Sequence, residues 1–358
     1  MTLSAAPKDV RVLYEQRSLP IFQNRMYDTL EDALASPKGD ICLVEDLRTG
    51  LVCNAAFQPD LMVYDTSYQN EQGLSPMFRR HLEEVASIIT ANMGEKNLVE
   101  VGCGKGLFLE MLEQRGVEIT GFDPAYEGTN RRIRQEYFQP GSGIESDGLI
   151  LRHVLEHIPD PVAFLGQLTE ANGGRGYIYI EVPCFDWICE QRAWFDVFYE
   201  HVNYFRLSDF HRMFGTVIAS GRIFGGQYLY VVADLATLRQ PTIDEDDRVK
   251  MPADFVEKLE SISPGETQTA VVWGGASKGV IFSLLRQRKD RPVTAVIDIN
   301  PSKQGKFLPL TGLKVQSPNE VLPGLPPGSD IYVMNRNYSE EIKKMSNNAY
   351  NYVEVDRG

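Results

Sequence analysis

Cysteine is scarce in this chain: five residues in 358, at Cys42, Cys53, Cys103, Cys184 and Cys189, with no CxxC pair. That spacing excludes a disulfide framework and offers no four-ligand structural zinc site, so a reducing, cytoplasmic compartment is expected. Long apolar runs are missing as well. None reaches the roughly 18 residues that a membrane-spanning helix needs. The opening MTLSAAPKDVRVLYEQ lacks the basic, apolar and small-residue progression of a signal peptide. Positive charge is in deficit, with 36 Lys and Arg against 49 Asp and Glu and a net charge of −13. No long basic block is available to neutralise phosphates, which argues against a nucleic-acid partner. These absences leave an acidic globular protein handling a small molecule, with neither nucleic acid nor membrane as partner. An anionic, nucleotide-linked molecule stays compatible, because a few local basic groups override global charge. No pattern in the chain encodes an oligomeric state.

The length predicts more than one compact unit. Residues 1–74 read as a small module of short strands (RVLYE, DICLVED, LVCNAAF, LMVYD). Ser75 and Pro76 then open a helix over PMFRRHLEEVASIITANM. From residue 75 to 238 strands and helices alternate, predicting a mostly parallel α/β sheet with an antiparallel closing pair between Arg222 and Leu235. Residues 239–263 read as an acidic, proline-containing linker and a helix. A second α/β unit fills 264–358, beginning at TAVVWGGASKG.

The densest signal is LVEVGCGKG, Leu98 to Gly106, followed seventeen residues later by Asp123. An apolar strand, a glycine turn, a helix and a second strand ending in an acid make half of a nucleotide-binding unit. Glycine lets backbone approach a ligand, and a carboxylate at the second strand tip can hold two ribose hydroxyls. The GxGxG spacing favours S-adenosylmethionine over a nicotinamide. Glu100, Gly102, Cys103 and Gly104 are expected to line its methionine part, with Asp123 and Pro124 at the ribose. About thirty residues on, ILRHVLEHIPDP places Arg152, His153 and Leu155 above the same site. His153 and His157, four apart with Glu156 between, invite a metal reading. The order is not HExxH, and Pro159 and Pro161 soon cut the helix, so no metal is expected.

WFDVFYEHVNYF, Trp194 to Phe205, packs six aromatic rings, two acids and a histidine into twelve residues. Such density suits either a buried hydrophobic loop or a substrate pocket. The second unit's GGASKG can be written GxAxxG, with Asp298 nineteen residues after Gly279, a degenerate dinucleotide fingerprint.

Taken together, these runs resemble the sugar C-methyltransferase family that builds branched deoxysugars. The likeness rests on HVLEHIPDP (His153 to Pro161), FYEHVNYFR (Phe198 to Arg206), GGASKG (Gly274 to Gly279) and DINPSKQGKFLPL (Asp298 to Leu310). The resemblance implies a Rossmann-like, seven-stranded methyltransferase sheet with a small N-terminal module and a second C-terminal α/β domain. It implies that His201 removes a proton beside a ketone, that Glu200 orients it, and that the enolate carbon takes the methyl group. Tyr199, Tyr64 and Tyr68 are then expected around the pocket, with Tyr204 and Asn203 on the acceptor. Lys278, Lys303, Asn335 and Asn337 are expected to contact a nucleotide handle. Three departures stand out. Phe198 replaces the family tyrosine, the N-terminal module keeps only Cys42 and Cys53, and Pro309-Leu310 lacks the family's glycine. Methylation at oxygen or nitrogen, and a cofactor-binding protein with a decayed pocket, remain as alternative readings.

Overall fold

Three β-sheets organise the molecule, whose computed structural model describes residues 9–62, 75–255 and 270–356. Tyr64, Tyr68 and the expected helix after Phe255 therefore lie outside the described residues.

The N-terminal sheet contains β1 (Val10–Pro20), β2 (Lys38–Asp46) and β3 (Val52–Asn54), all antiparallel, with helix α1 (Leu30–Leu34) between β1 and β2. Its fourth strand comes from far along the chain. β9 (Asn203–Tyr204) pairs with β3, so the module is completed by the segment that follows His201.

Helix α2 (Pro76–Met93) starts where the sequence indicates. The Ser75 hydroxyl accepts the Met77 and Phe78 amides, and Pro76 occupies the first turn. Its buried face carries Phe78, Leu82, Val85, Ile89 and, among these apolar residues, His81.

The central sheet follows: β4 (Leu98–Val101), β5 (Ile119–Phe122), β6 (Ile133–Arg134), β7 (Gly148–Arg152), β8 (Tyr177–Pro183), β10 (Val217–Ile223) and β11 (Tyr228–Asp234). Their spatial order is β10-β11-β8-β7-β4-β5-β6. Strands β4 to β8 run parallel, while β11 is antiparallel to both of its neighbours. The order reverses beside β4, and ligands of open α/β sheets collect at such a switch point, beyond the strands' carboxyl ends. Helices α3 (Leu107–Gln114), α4 (Pro161–Ala171), α5 (Phe185–Glu190) and α6 (Leu207–Met213) connect these strands.

The third sheet is wholly parallel, in the order β14-β13-β12-β15-β16. Its strands are β12 (Ala270–Trp273), β13 (Ala295–Ile297), β14 (Val315–Gln316), β15 (Asp330–Val333) and β16 (Asn351–Glu354), with helix α7 (Lys278–Arg288) after β12. The stretch 239–255, read as a linker, is strapped down. The Val249 amide donates to Glu45 of β2, and Asp247 accepts from Arg212 of α6.

Candidate functional site

The turn between β4 and α3 is built from left-handed glycines, with φ of 72° at Gly102, 55° at Gly104 and 83° at Gly106. Side chains are strained in that conformation, which explains the residue type. The Asp123 carboxylate accepts the Gly104 amide at 2.7 Å and the Ala125 amide at 2.8 Å. A carboxylate has about four acceptor positions, so two remain for a diol.

Two further observations fit the turn to a bound ligand. A Cβ built on Gly104 would meet nothing within 4 Å. Glu100, at the end of β4, is buried, and among the described residues its Oε2 has no hydrogen-bond partner. Burial pushes the Glu100 carboxyl up to about 7, with Arg152 acting in the other direction. An unpaired carboxyl beside an open backbone cradle and a half-exposed aspartate suits a cation carrying a ribose, as S-adenosylmethionine does. Cys103 is partly buried within the turn, and Pro124 is exposed beyond Asp123.

Gly102 carries the geometry onward. Its Cβ position lies 2.5 Å from Val154 Cγ2, so the loop after β7 rests on the glycine turn. Within that loop Leu155 is fully buried, and its side chain belongs to the core. Arg152 and His153 turn toward a residue that the sequence reading passed over, Glu181 at the end of β8. Its carboxylate meets Arg152 Nε at 3.0 Å, His153 Nε2 at 3.1 Å, His81 Nε2 at 2.8 Å and the Tyr179 hydroxyl at 3.1 Å. Burial alone would raise the Glu181 pKa, but Arg152, His153 and His81 hold it well below the carboxylate range. Burial likewise opposes a charge on His153, yet Glu156 and Glu181 lift it to about 9. The sequence does carry a signal for Glu181. A charged residue inside a strand buried on both faces is anomalous, and so is His81 on an apolar helix face.

The aromatic run after Ala193 resolves as interior. Every residue from Trp194 to Phe205 is buried. Trp194 stacks on Phe282 of α7 at 5.7 Å, so this loop is the joint between the second and third sheets. Several residues expected at the pocket make their contacts with protein. Tyr199 packs its ring on Phe57 and Gly39 and its hydroxyl accepts the Gln58 amide, which fixes it in the N-terminal module. Glu200 turns its carboxylate to the N-terminal segment, where it accepts the Gln23 and Asn24 amides. Tyr204 is saturated by the backbone of Phe198, and Asn203 donates to the carbonyls of Leu155 and Ile158.

The C-terminal polar residues are also engaged with protein. Lys278 pairs with Asp196 at 3.1 Å over the Trp187 ring, and Lys303 lies 3.5 Å from Asp298. Asn335 donates to Gln227 and Asn337 to the Phe224 carbonyl, tying the third sheet to the β10–β11 connection.

His201 remains. Its ring lies 4.9 Å from that of His157 and 4.0 Å from Phe198, and among the described residues no group hydrogen-bonds it. Burial, then the charges of His157 and His153, hold its pKa well below 6.5.

Comparison with known proteins places this geometry. Residues 55–217 match the family described as "Methyltransferase domain". The chain is 22% identical over 307 residues to the C-methyltransferase NovU of Streptomyces niveus, covering 74% of this chain and 72% of that one. It is 29% identical over 118 residues to the ubiquinone biosynthesis O-methyltransferase of Saccharophagus degradans, covering 28% of this chain and 48% of that protein. Among solved structures, a putative O-methyltransferase from Nostoc punctiforme aligns with a TM-score of 0.36 at 19% identity, over 46% of this chain and 58% of that one. The matched domain contains the glycine turn, Asp123 and the Glu181 cluster, and with those residues in place the chain is an S-adenosylmethionine-dependent methyltransferase.

Proposed function

We propose that the chain methylates a small molecule at the carbon beside a ketone, most simply a nucleotide-linked keto-sugar, with His201 as the base. The observation that carries this reading is the extent of the likeness to a C-methyltransferase. It runs over 307 residues, well beyond the domain matched at 55–217, whereas the O-methyltransferase likeness spans only 118.

Glu100, the Gly102–Gly104 turn and Asp123 would hold S-adenosylmethionine. When bound, that cofactor supplies an electrophilic methyl group on a positively charged sulfur and leaves as a neutral thioether. The chain's own part is proton removal and positioning. A buried imidazole kept neutral near pH 7 is in the form a base needs. The proton passes from carbon to a ring nitrogen of His201, and the electron pair left on carbon forms the new bond. Phe198 against the imidazole, and the pairing of β9 with β3 just beyond it, fix the ring's place.

His201→Asn should leave cofactor affinity unchanged while lowering turnover by about 10³-fold. Turnover within a few-fold of the parent would remove His201 as base. Locating the new methyl by carbon NMR separates this reading from O- or N-methylation. Tight cofactor binding with no methyl transfer to any acceptor would mark a decayed pocket.

A further inference from the structure

The Glu181 carboxylate is saturated by protein. Its Oε1 meets His81 Nε2 and His153 Nε2, and its Oε2 accepts from Arg152 Nε and the Tyr179 hydroxyl. A carboxylate has about four acceptor positions, so Glu181 keeps none for a ligand. Arg152 is different, because a guanidinium has about five N–H donors and Glu181 takes the one on Nε. Among the described residues no group hydrogen-bonds either Nη of Arg152. The side chain is only 10% exposed, and its guanidinium lies 4.5 Å from the centre of the Phe108 ring on α3. The ring and Glu181 together fix the plane of the fork.

Strand register explains where that fork stands. Arg152 pairs with Glu181 across β7 and β8, and Glu100 pairs with Ile150 across β4 and β7. Side chains two residues apart share a sheet face, so Glu100, Arg152 and Glu181 line one face at the carboxyl ends of β4, β7 and β8. Ligands of parallel sheets collect at those ends. The charge of Arg152 acts on Glu100, whose Oε2 has no hydrogen-bond partner among the described residues. A carboxyl and a guanidinium with open donors thus stand on neighbouring strands. An α-amino acid carries the complementary pair on one carbon, an ammonium and a carboxylate. S-adenosylmethionine has such an end, joined through its sulfur to the ribose that Asp123 suits.

We propose that Arg152 receives the carboxylate of the cofactor's amino-acid end, and that Glu181 is a positioning residue that fixes the arginine for this contact. The fork donates two parallel N–H bonds, and Glu100 takes the ammonium. The inference rests on the placement of S-adenosylmethionine at Glu100 and Asp123 in the function proposed above. It is independent of His201 and of the acceptor. An arginine serving the fold alone would not distinguish one ligand from another.

The test compares two probes by calorimetry on the full-length protein. One is S-adenosylmethionine, and the other is its decarboxylated form, which keeps adenosine, sulfonium and amine. The parent should bind the first about 100-fold more tightly. Arg152→Gln should abolish that preference by weakening S-adenosylmethionine about 100-fold without weakening the decarboxylated probe. Arg152→Lys should keep a preference of about tenfold, since an ammonium is a point charge rather than a fork. Glu181→Gln should also lower the preference to about tenfold, with Arg152 still in the chain. A parent that binds both probes alike overturns the proposal before any variant is made. Equal weakening of both probes by Arg152→Gln overturns it too, and equal weakening by Glu181→Gln overturns the positioning role. A parent that binds neither probe overturns the cofactor placement itself.

Discussion

The molecule contains the same local device twice, and the two copies have opposite surroundings. In each, a strand, a glycine turn, a helix and a second strand lead to an aspartate that accepts a turn amide. Gly104 donates to Asp123 at 2.7 Å, and Gly275 donates to Asp298 at 3.0 Å. A second amide two residues on completes each loop, from Ala125 at 2.8 Å and from Asn300 at 2.8 Å. The sheets even share a strand order around the turn. Among the described residues, the cradle around Asp123 is open. Around Asp298 it is filled, because Lys303 approaches the carboxylate and the N-terminal segment occupies the turn, with Ser277 donating to the Gln23 carbonyl and to Asn24. A glycine turn and a strand-end aspartate are therefore a backbone solution first, and a nucleotide site only where nothing else of the chain fills the space. The dinucleotide reading of GGASKG fails on this point.

Substitution can break the contrast, and the largest effect belongs to the filled copy. A Cβ on Gly279 would stand 1.8 Å from the Gly274 carbonyl oxygen, backbone against backbone. Gly279→Ala should destabilise the fold by about 4 kcal/mol or more, read as loss of soluble protein or a large drop in Tm. A Tm within a few degrees of the parent would show that the third sheet tolerates an opened turn.

Gly104→Ala probes the open copy. The left-handed φ strains alanine by about 1 kcal/mol, so the protein should fold, while the new methyl group stands in the cradle. Cofactor affinity should fall about 100-fold by calorimetry, and unchanged affinity would mean that the cradle lies elsewhere. Asp298→Asn should lower Tm without touching cofactor binding, the reverse of Asp123→Asn.

Glu100 sharpens the comparison through pH. Its raised pKa means that the ligand-free fold favours the protonated form. The associated stability is full below pH 4.5 and is lost as pH rises through about 7. A cationic ligand favours the ionised form, so cofactor affinity should rise about tenfold between pH 6 and pH 8. Glu100→Gln should flatten that profile and raise the ligand-free Tm at pH 8. A parent profile already flat would exclude Glu100 from the site.

A modest effect is expected at Leu310. It holds φ of 62° where the resembling family carries glycine, and its amide donates to the Ala33 carbonyl. Leu310→Gly relieves strain but adds freedom to the unfolded chain and removes a partly buried side chain packed on the core, so stability should fall by about 1–2 kcal/mol in a denaturant titration.

The central strands, α2 with its Ser75 cap, the glycine turn and Asp123 were legible because local periodicity and turn chemistry specify them. The Glu181 cluster was not, since its partners come from α2, β7 and β8 and meet only after folding. Nor was the burial of the run from Trp194 to Phe205. Aromatic density signals contact area without saying whether protein or substrate supplies the other side. The protein contacts of Tyr199, Glu200 and Lys278 were hidden for the same reason, as their partners lie in modules that no local pattern connects. β9 is two residues long and pairs with a strand about 150 positions earlier, beyond the reach of any periodic signal.

Glu181 also bears on the order of assembly. Its bond to His81 closes a separation of 100 residues, and those to Arg152 and His153 close 29 and 28. A cluster joining helix and strands at such separations is expected to form late, because the entropy of loop closure must be met before its contacts can contribute. Glu181→Gln should accordingly speed unfolding while leaving the refolding rate nearly unchanged. The cluster beside the cofactor site thus acts as the latch that sets how long the finished molecule lasts.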